Sequence, residues 1–435
     1  MNTLNPRWRV RWVIFAFLFA FAFVSYVQRT SIGIAAERMM PELGYSQVEI
    51  GWLLTAFLIS YTALQLPGGV FGEWLGARKA LIIISLVAVA AAMATPLAPL
   101  LLAGTGLFLV LLLTRFALGL AQAPLYPIST GVMESWFPVG QWGFPSGLQG
   151  AGFQLGSAAT PPLIAMLMQT IGWKHALLWT SLPTLGLVAL WAWYGRDTPR
   201  DHPAVRTVEL DELRANGAAA APARINRSAL MRVCGNRDVL LLALSYLAMN
   251  YVFYLLTFWC FLYLVQERHF SVLESGWLAS IPYVAAAIGA GVGGKLSDRL
   301  VKRWGLRVGY RALPLVALPL AGLLLFASVK AVNPYWAIVG LSLAFASIEL
   351  TEGAFGAAPI SVARGNSMAA MGVVNTGGNL GGIVGTPLVA ALSASHAWTA
   401  AFLTGSAFAV VSGLLWLWID ASRVIGTEPV AAAPR

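Results

Sequence analysis

Four charged side chains lie deep inside long apolar stretches of this chain: Arg29, Arg115, Glu349 and Glu352. A charge near the centre of a bilayer costs at least ~2.5–3.5 kcal/mol, so such residues face a polar interior and mark a functional site. A guanidinium group pairs bidentately with a carboxylate, and two buried neighbouring glutamates can take up a proton near neutral pH. The four residues predict an organic-anion site with a proton-exchanging pair. The alternative is an arginine–glutamate ion pair that only holds the two halves of the protein together.

The composition of the chain is that of an integral membrane protein. Of its 435 residues, 58% are hydrophobic and 11% are charged, whereas globular chains carry about 25% charged residues. The mean hydropathy of +0.73 is too high for a water-soluble surface. Soluble enzymes, secreted modules and disordered scaffolds are therefore excluded. The two cysteines, Cys234 and Cys260, fit neither a disulfide framework nor a metal-ligand pattern.

Twelve apolar stretches have the length of about 20 residues that a helix needs to cross a bilayer. We number them spans 1 to 12, and they lie at 12–36, 50–72, 80–99, 103–127, 143–168, 173–194, 239–265, 274–296, 311–329, 334–361, 368–392 and 397–419. A polar, arginine-rich segment separates two sets of six and is predicted to be a solvated linker. The predicted organisation is an N-terminal six-helix bundle (1–194), a cytoplasmic linker (195–238), a C-terminal six-helix bundle (239–420) and a disordered cytoplasmic tail (421–435).

Lysine and arginine are distributed unevenly between the two sides of these spans. With both termini placed inside, the inner segments hold 22 of the 28 basic residues. The outer loops hold only Arg38, Lys174, Arg268 and Lys330. Because positively charged loops stay in the cytoplasm, the pattern predicts a multi-pass protein of the cell inner membrane with both termini cytoplasmic. The net charge of +10 is then a topology signal, and nucleic-acid binding is not needed to explain it.

A short motif recurs at matching places after the second and eighth spans. In each copy an acid follows a glycine by four residues and precedes a basic cluster, with Glu73 and Arg78 in the first copy and Asp298 and Arg299 in the second. Parallel six-span repeats of this kind build one large group of transporters. We expect the motif to form a gating latch between neighbouring helices. The alternative is a loop whose basic residues only keep it on the cytoplasmic side of the membrane and have no role in gating.

Five further motifs carry a family resemblance. They are Ser25-Tyr26-Val27-Gln28-Arg29 in span 1, Ser60-Tyr61 and Gln65-Leu66-Pro67-Gly68-Gly69 in span 2, Arg115-Phe116-Ala117-Leu118-Gly119 with Gln122 and Pro124 in span 4, Asn250-Tyr251 with Tyr254 in span 7, and Asn375 to Gly382 in span 11. With them, the chain resembles a Major Facilitator Superfamily transporter. More narrowly, it resembles the organic anion:cation symporter branch, which includes sialin, the vesicular glutamate transporters and bacterial sugar-acid permeases.

The resemblance implies an all-α membrane protein of twelve transmembrane helices, arranged as two six-helix pseudo-repeat bundles that work by alternating access. It implies that spans 1, 4, 7 and 10 line a central cavity, which places all four intramembrane charges on cavity helices. Arg29 corresponds to the family's substrate-anion ligand, and Arg115 to an arginine of the anion site or its gate. Hydroxyl and amide side chains suited to a hydroxylated acid complete the expected site: Tyr26, Tyr61, Gln154, Tyr254, Asn375 and Asn379.

The chain departs from this branch at two positions. Sugar-acid symporters of the branch carry acids that exchange protons where this chain has Gln28 and Gln122, and a glutamine cannot titrate. Proton coupling has therefore moved, with Glu349 and Glu352 as the candidates on one helical face, or the protein works as a uniporter or exchanger.

The sequence thus predicts a secondary active transporter of a small organic anion, a sugar acid or another hydroxylated carboxylate, with protons as the coupling ion. We expect a monomer in contact with membrane lipid, with no nucleic-acid partner, no cofactor, no metal site and no enzymatic activity. The four histidines lie at span ends or in loops, away from any buried ligand set. The alternatives are an exporter of lipophilic or cationic compounds, a proton-independent anion carrier and, outside transport, a membrane sensor.

Overall fold

A computed structural model describes residues 10–215, 225–394 and 397–425, and all regular structure among these residues is helical. Outside the 195–238 segment the α-helices are Val10–Leu43, Gln47–Ala63, Gln65–Leu75, Ala77–Leu97, Gly104–Gln122, Leu125–Trp136, Gly143–Tyr194, Arg237–Gln266, Val272–Leu278, Ile281–Lys330, Pro334–Glu349, Glu352–Val362, Ser367–Ala394 and Trp398–Leu415. By length and composition, eight helical stretches of the described residues can each cross a membrane, and a bent pair within 48–75 makes a ninth.

Two of these stretches each hold two spans. Gly143–Tyr194 has 52 residues and is interrupted at Gly172, whose φ of 77° is a conformation that favours glycine. On one side of the break Gly156 lies against Phe23 of span 1, and on the other Trp191 packs on Phe17 with ring centres 5.5 Å apart. A straight helix would separate residues 156 and 191 by about 52 Å. The chain therefore turns back at Gly172.

Ile281–Lys330 turns back in the same way at Gly305, where φ is again 77°. Residues from both sides of the break contact one helix, since Gly289 lies against Ala346 and Ser328 against Gly340. With these two reversals, the bent pair and the glycine-rich helix Ser367–Ala394, the helices amount to twelve spans in the described part of the chain. The predicted fold is confirmed.

The helices bury one face and expose the other to lipid. On span 4, Leu109, Leu113, Phe116 and Leu120 are exposed, whereas the face offset by about half a turn carries the buried side chains Leu111, Arg115, Leu118 and Gln122. The spacing of each set by three or four residues is that of a single helical face. Helical period therefore turns the arginine and the glutamine of this span inward, as the cost of charge in lipid requires.

The 195–238 segment lies against the N-terminal end of the helix that forms span 1. It contains the helices Thr207–Ala215 and Arg227–Cys234, and Glu209 accepts hydrogen bonds from the backbone N–H groups of Val10 and Arg11. The segment is therefore partly packed, where a solvated linker was expected. Its alanine tract, 218–221, lies outside the described residues, as does most of the predicted tail. We call the membrane face that carries this segment the linker face.

Candidate functional site

A narrow polar cavity of about 50 Å³ lies between the two sets of six spans. Residues from spans 1, 2, 4, 5, 7, 10 and 11 surround it. Nine residues singled out in the sequence line it: Tyr26, Arg29, Tyr61, Gln154, Tyr254, Glu349, Glu352, Asn375 and Asn379. Arg115 lines other cavities. Sequence reasoning missed Tyr126 and Tyr246, although each lies one helical turn from a motif residue, Gln122 and Asn250 respectively.

Arg29 is held by aromatic rings. Its guanidinium carbon lies 5.1 Å from the ring centre of Tyr26, 5.1 Å from that of Phe57 and 4.6 Å from that of Tyr61. One terminal nitrogen also lies 3.4 Å from the hydroxyl of Tyr26. Cation–π contacts of this kind hold a cation in place while leaving its hydrogen-bond donors free for a ligand. Arg29 borders both the polar cavity and a larger cleft, so it lies where the two meet.

Arg115 lies beside Arg29 and faces the larger cleft. Its guanidinium donates to the backbone oxygen of Arg29 at 3.2 Å and lies 5.2 Å from the ring centre of Phe57. Its buried Nε atom has no hydrogen-bond partner among the described residues. The cleft that the two arginines share has a volume of about 720 Å³ and mostly apolar walls, contributed mainly by spans 1, 2 and 11.

The expected ion pairs between these arginines and the span 10 glutamates are not formed in this conformation. Among the described residues, the ion pairs within 4.0 Å include neither Arg29 nor Arg115. The two guanidinium carbons lie within about 10 Å of each other, because each is close to the same Phe57 ring. At an effective dielectric of about 20, two positive charges at that distance repel by roughly 1.7 kcal/mol. The site therefore holds an unneutralised pair of cations.

The two span 10 glutamates have different surroundings. Glu352 accepts a hydrogen bond of 2.6 Å from the hydroxyl of Tyr126 on span 4 and longer bonds from Tyr246 on span 7. Glu349 interacts with the side-chain amide of Gln154. The helix of span 10 ends at Glu349 and a new helix begins at Glu352. The expected single helical face is thus interrupted, yet both carboxylates line the polar cavity. The Tyr126–Glu352 bond joins the two six-span halves.

A chain of hydrogen bonds runs along one wall of the cavity. The hydroxyl of Tyr254 donates to the Asn379 side chain at 2.7 Å, and Asn379 donates to the backbone oxygen of Asn375 at 2.8 Å. Asn375 in turn donates to the side-chain oxygen of Gln65 on span 2 at 2.8 Å. The chain connects spans 7, 11 and 2, so it couples the cavity wall to the contact between the halves.

Gln28 and Gln122 pair with each other outside the polar cavity. Gln122 donates to the Gln28 side-chain oxygen at 3.3 Å and to the Ser25 backbone oxygen at 3.1 Å, and Gln28 donates to Thr184 at 2.9 Å. Both side chains are buried. These amides bind each other and neutral neighbours, so a hydrogen-bonded network without any charge occupies the two positions.

Replacing Gln122 by glutamate is expected to change the pH dependence of transport. The new carboxyl group would face the oxygens of Ser25 and Gln28, so it would have to bind a proton or break this network. Initial uptake rates in proteoliposomes across a pH series measure the effect. Gln122→Met is the control, since it breaks the network without adding a titrating group. A pH profile of Gln122→Glu identical to that of the parent would place position 122 outside the coupling path.

Both repeated-motif acids join the two halves at the linker face. Glu73 accepts from the backbone N–H of Ala369 at 2.8 Å and from the Asn366 amide at 3.3 Å. Asp298 accepts from the N–H groups of Gly143 and Phe144 at 2.8 and 2.9 Å. Each carboxylate thus caps the N-terminus of a helix in the opposite half, where free N–H groups and the helix dipole favour negative charge.

The basic residues of the motif do not take part in this contact. The backbone N–H of Arg78 donates to Asp197 and its guanidinium to the Ala192 oxygen, both within the N-terminal half. Arg299 is exposed. The sequence predicted a latch between neighbouring helices without giving the partners of the acids, because it could not show that two helix N-termini face them. With these contacts formed, the linker face is closed and the 720 Å³ cleft lies on the opposite side of the arginines.

Comparison with protein families gives the identity of the fold. A family model described as Major Facilitator Superfamily matches residues 18–368. The chain belongs to this superfamily. It is therefore a multi-pass membrane transporter of small molecules and not an enzyme.

Curated relatives in the superfamily match this transporter along most of its length. A probable sulfoacetate transporter of Cupriavidus necator is 29% identical over 392 residues, covering 89% of this chain and 88% of the relative. A probable galactarate/D-glucarate transporter of Escherichia coli is 27% identical over 405 residues, with 89% and 88% covered. A D-galactonate transporter of Escherichia coli is 26% identical, with 98% and 99% covered.

Solved structures of superfamily members share the fold. The fucose:proton symporter of Escherichia coli superposes with a TM-score of 0.70 at 16% identity, covering 95% of this chain and all of that one. A proton:xylose symporter superposes with a TM-score of 0.74 at 12% identity, covering 95% and 97%. At these identities the likeness concerns the fold alone.

Proposed function

We propose that this superfamily member transports a small organic anion, a sugar acid or a related hydroxylated carboxylate or sulfonate. The observation that carries the proposal is Arg29, a guanidinium fixed by three aromatic rings at the junction of the polar cavity and the cleft. Tyrosine hydroxyls and the Asn375 and Asn379 amides border the same space, and a desolvated polyol acid needs such partners. The names of the relatives, which concern sulfoacetate, galactarate or D-glucarate and D-galactonate, support this substrate class.

The proposed working cycle follows from where the contacts between the halves lie. We place the linker face in the cytoplasm of a cell with the protein in its inner membrane, both chain ends on that side, as the distribution of basic residues indicates. The anion then enters the cleft from outside and meets Arg29 and Arg115. Opening toward the cytoplasm requires breaking the Glu73 and Asp298 helix caps and the Tyr126–Glu352 bond. The bundle 1–194 would move as a rigid unit relative to the bundle 239–420, and both belong to one monomer.

Protons are the coupling ion in this proposal. The neutral pair Gln28 and Gln122 removes titration from spans 1 and 4, whereas Glu349 and Glu352 place two carboxylates at the cavity. Among the described residues neither carboxylate has an ion-pair partner within 4.0 Å. Two neighbouring carboxylates cannot both remain charged in such a low-dielectric site, so the pair carries a proton. Release of that proton to the cytoplasmic side would link transport to the pH gradient.

Ligand-induced thermal stabilisation of the purified protein tests the substrate class. We expect organic acids to raise the melting temperature, because a ligand that binds only the folded state stabilises it by mass action. Galactarate and its neutral counterpart galactitol form a matched pair that differs only in the acidic ends. Stabilisation and uptake by lipophilic cations, with no response to any organic acid, would replace this proposal with the exporter alternative.

A further inference from the structure

The two guanidinium groups of the site lack counter-charges among the residues that the structure describes. Arg29 and Arg115 both line the 720 Å³ cleft, and neither of them forms an ion pair within 4.0 Å among the described residues. The smaller cavity on the other side of Arg115 is lined by neutral groups, including Gln28, Ser31 and Thr95. Neither the cleft nor the smaller cavity therefore supplies a negative charge to compensate the two guanidinium groups near Phe57.

The carboxylates of the polar cavity are engaged elsewhere. Glu352 is bound by the hydroxyls of Tyr126 and Tyr246, and Glu349 interacts with Gln154. Neither glutamate lines the cleft that Arg115 faces. A ligand with one negative charge could satisfy only one of the two guanidinium groups, and the other would stay buried without a partner, which is costly in low dielectric.

We propose that the substrate carries two anionic groups, carboxylate or sulfonate, of which one binds Arg29 and the other Arg115. This inference rests on the proposed function and narrows its substrate class from organic anions to dianions. The Phe57 ring lies 5.1 Å from one guanidinium carbon and 5.2 Å from the other, so the short carbon chain between the acidic groups would pack over this ring. Hydroxyl groups on the chain would reach Tyr26 and Tyr61, which border Arg29.

In this arrangement Arg115 determines which acids bind tightly. Its buried Nε atom has no hydrogen-bond partner among the described residues, and the residue is 3% exposed. A buried donor that the protein leaves unsatisfied rejects ligands that cannot pair with it, because the unpaired group persists in the wrong complex. A second anionic group would satisfy it. Arg29 binds either kind of acid, whereas Arg115 distinguishes dianions from monoanions.

Binding of matched acids to the purified full-length protein tests the inference. D-Glucarate and D-gluconate have the same carbon chain and differ by one carboxylate, and succinate and butyrate provide a second pair without hydroxyl groups. We expect the dianion of at least one pair to bind roughly tenfold or more tightly than its monoanion by isothermal titration calorimetry. In Arg115→Gln the ratio should fall toward one, because the dianion loses a direct partner whereas the monoanion loses only the weaker long-range attraction of the removed charge. Arg29→Gln should weaken both members of the pair.

The outcomes separate this inference from the proposed function. If monoanions bind as tightly as their dianionic partners in the parent protein, the dianion inference is overturned and organic-anion transport stands. If none of the acids binds or is transported, both are overturned. Arg115→Lys is the second variant in case Arg115→Gln does not fold. It keeps the charge without the planar fork, so a preference for dianions should persist at reduced strength, and its complete loss would contradict a charge-based role.

Discussion

Replacing Arg29 by alanine is expected to abolish measurable binding of the organic anion while the protein stays folded. Removing one partner of a buried charged pair costs roughly 2–5 kcal/mol, which corresponds to a loss of about 30-fold to several thousand-fold in affinity. The aromatic rings that surround Arg29 can pack against one another once the guanidinium is gone, since Phe57 and Tyr61 are already stacked at 5.5 Å. The fold should therefore tolerate the change.

Arg29→Lys is expected to fail almost as completely. Lysine keeps the charge, but its ammonium group cannot form two parallel hydrogen bonds to one carboxylate and is poorly matched to three flanking rings. Arg38→Ala is the matched control, because Arg38 lies on the same helix and is exposed. Ligand affinity and the melting temperature without ligand should be measured for all three variants. Near-normal ligand affinity in Arg29→Ala would contradict the proposal that Arg29 forms the anion site.

Neutralising a span 10 glutamate is expected to separate exchange from accumulation. A gradient of one pH unit stores about 1.4 kcal/mol and supports up to roughly tenfold accumulation for each coupled proton. A variant that cannot carry the proton should still exchange substrate across the membrane but should accumulate it no further than equilibrium. The structure favours Glu349 for this role, since the Glu352 carboxylate is already bound by Tyr126 and Tyr246.

Glu349→Gln and Glu352→Gln, made separately, are each other's controls. Both should be reconstituted in vesicles and tested for counterflow without a gradient and for uptake driven by an inward proton gradient. Glu352→Gln is expected to slow both processes by disturbing the Tyr126 contact between the halves. Normal accumulation in both variants, or a parent protein with no pH-driven uptake, would refute relocated coupling and leave facilitated diffusion or exchange.

The sequence by itself determined the membrane class, the twelve spans and the helices that carry the intramembrane charges. These follow from local quantities: the length of apolar runs, helical period and the cost of burying a charge in lipid. On span 4, for example, period alone turns Arg115 and Gln122 away from the exposed Leu113. The family motifs added the position of Arg29, and the structure places it beside the cavity with eight other predicted residues.

Only the tertiary structure decided which groups meet. The sequence placed all four charges at one site, but Arg115 faces the cleft, and Glu352 pairs with Tyr126 from the other half. The repeated motif showed Glu73 and Asp298 followed by basic residues in the sequence. In the structure the partners of these two acids are helix N-termini of the opposite half. Such contacts join residues more than a hundred positions apart, and they depend on how each helix is rotated and which half approaches which. Helical period fixes the face that a side chain occupies, whereas its partner on another helix is set by packing between helices, which no local pattern encodes.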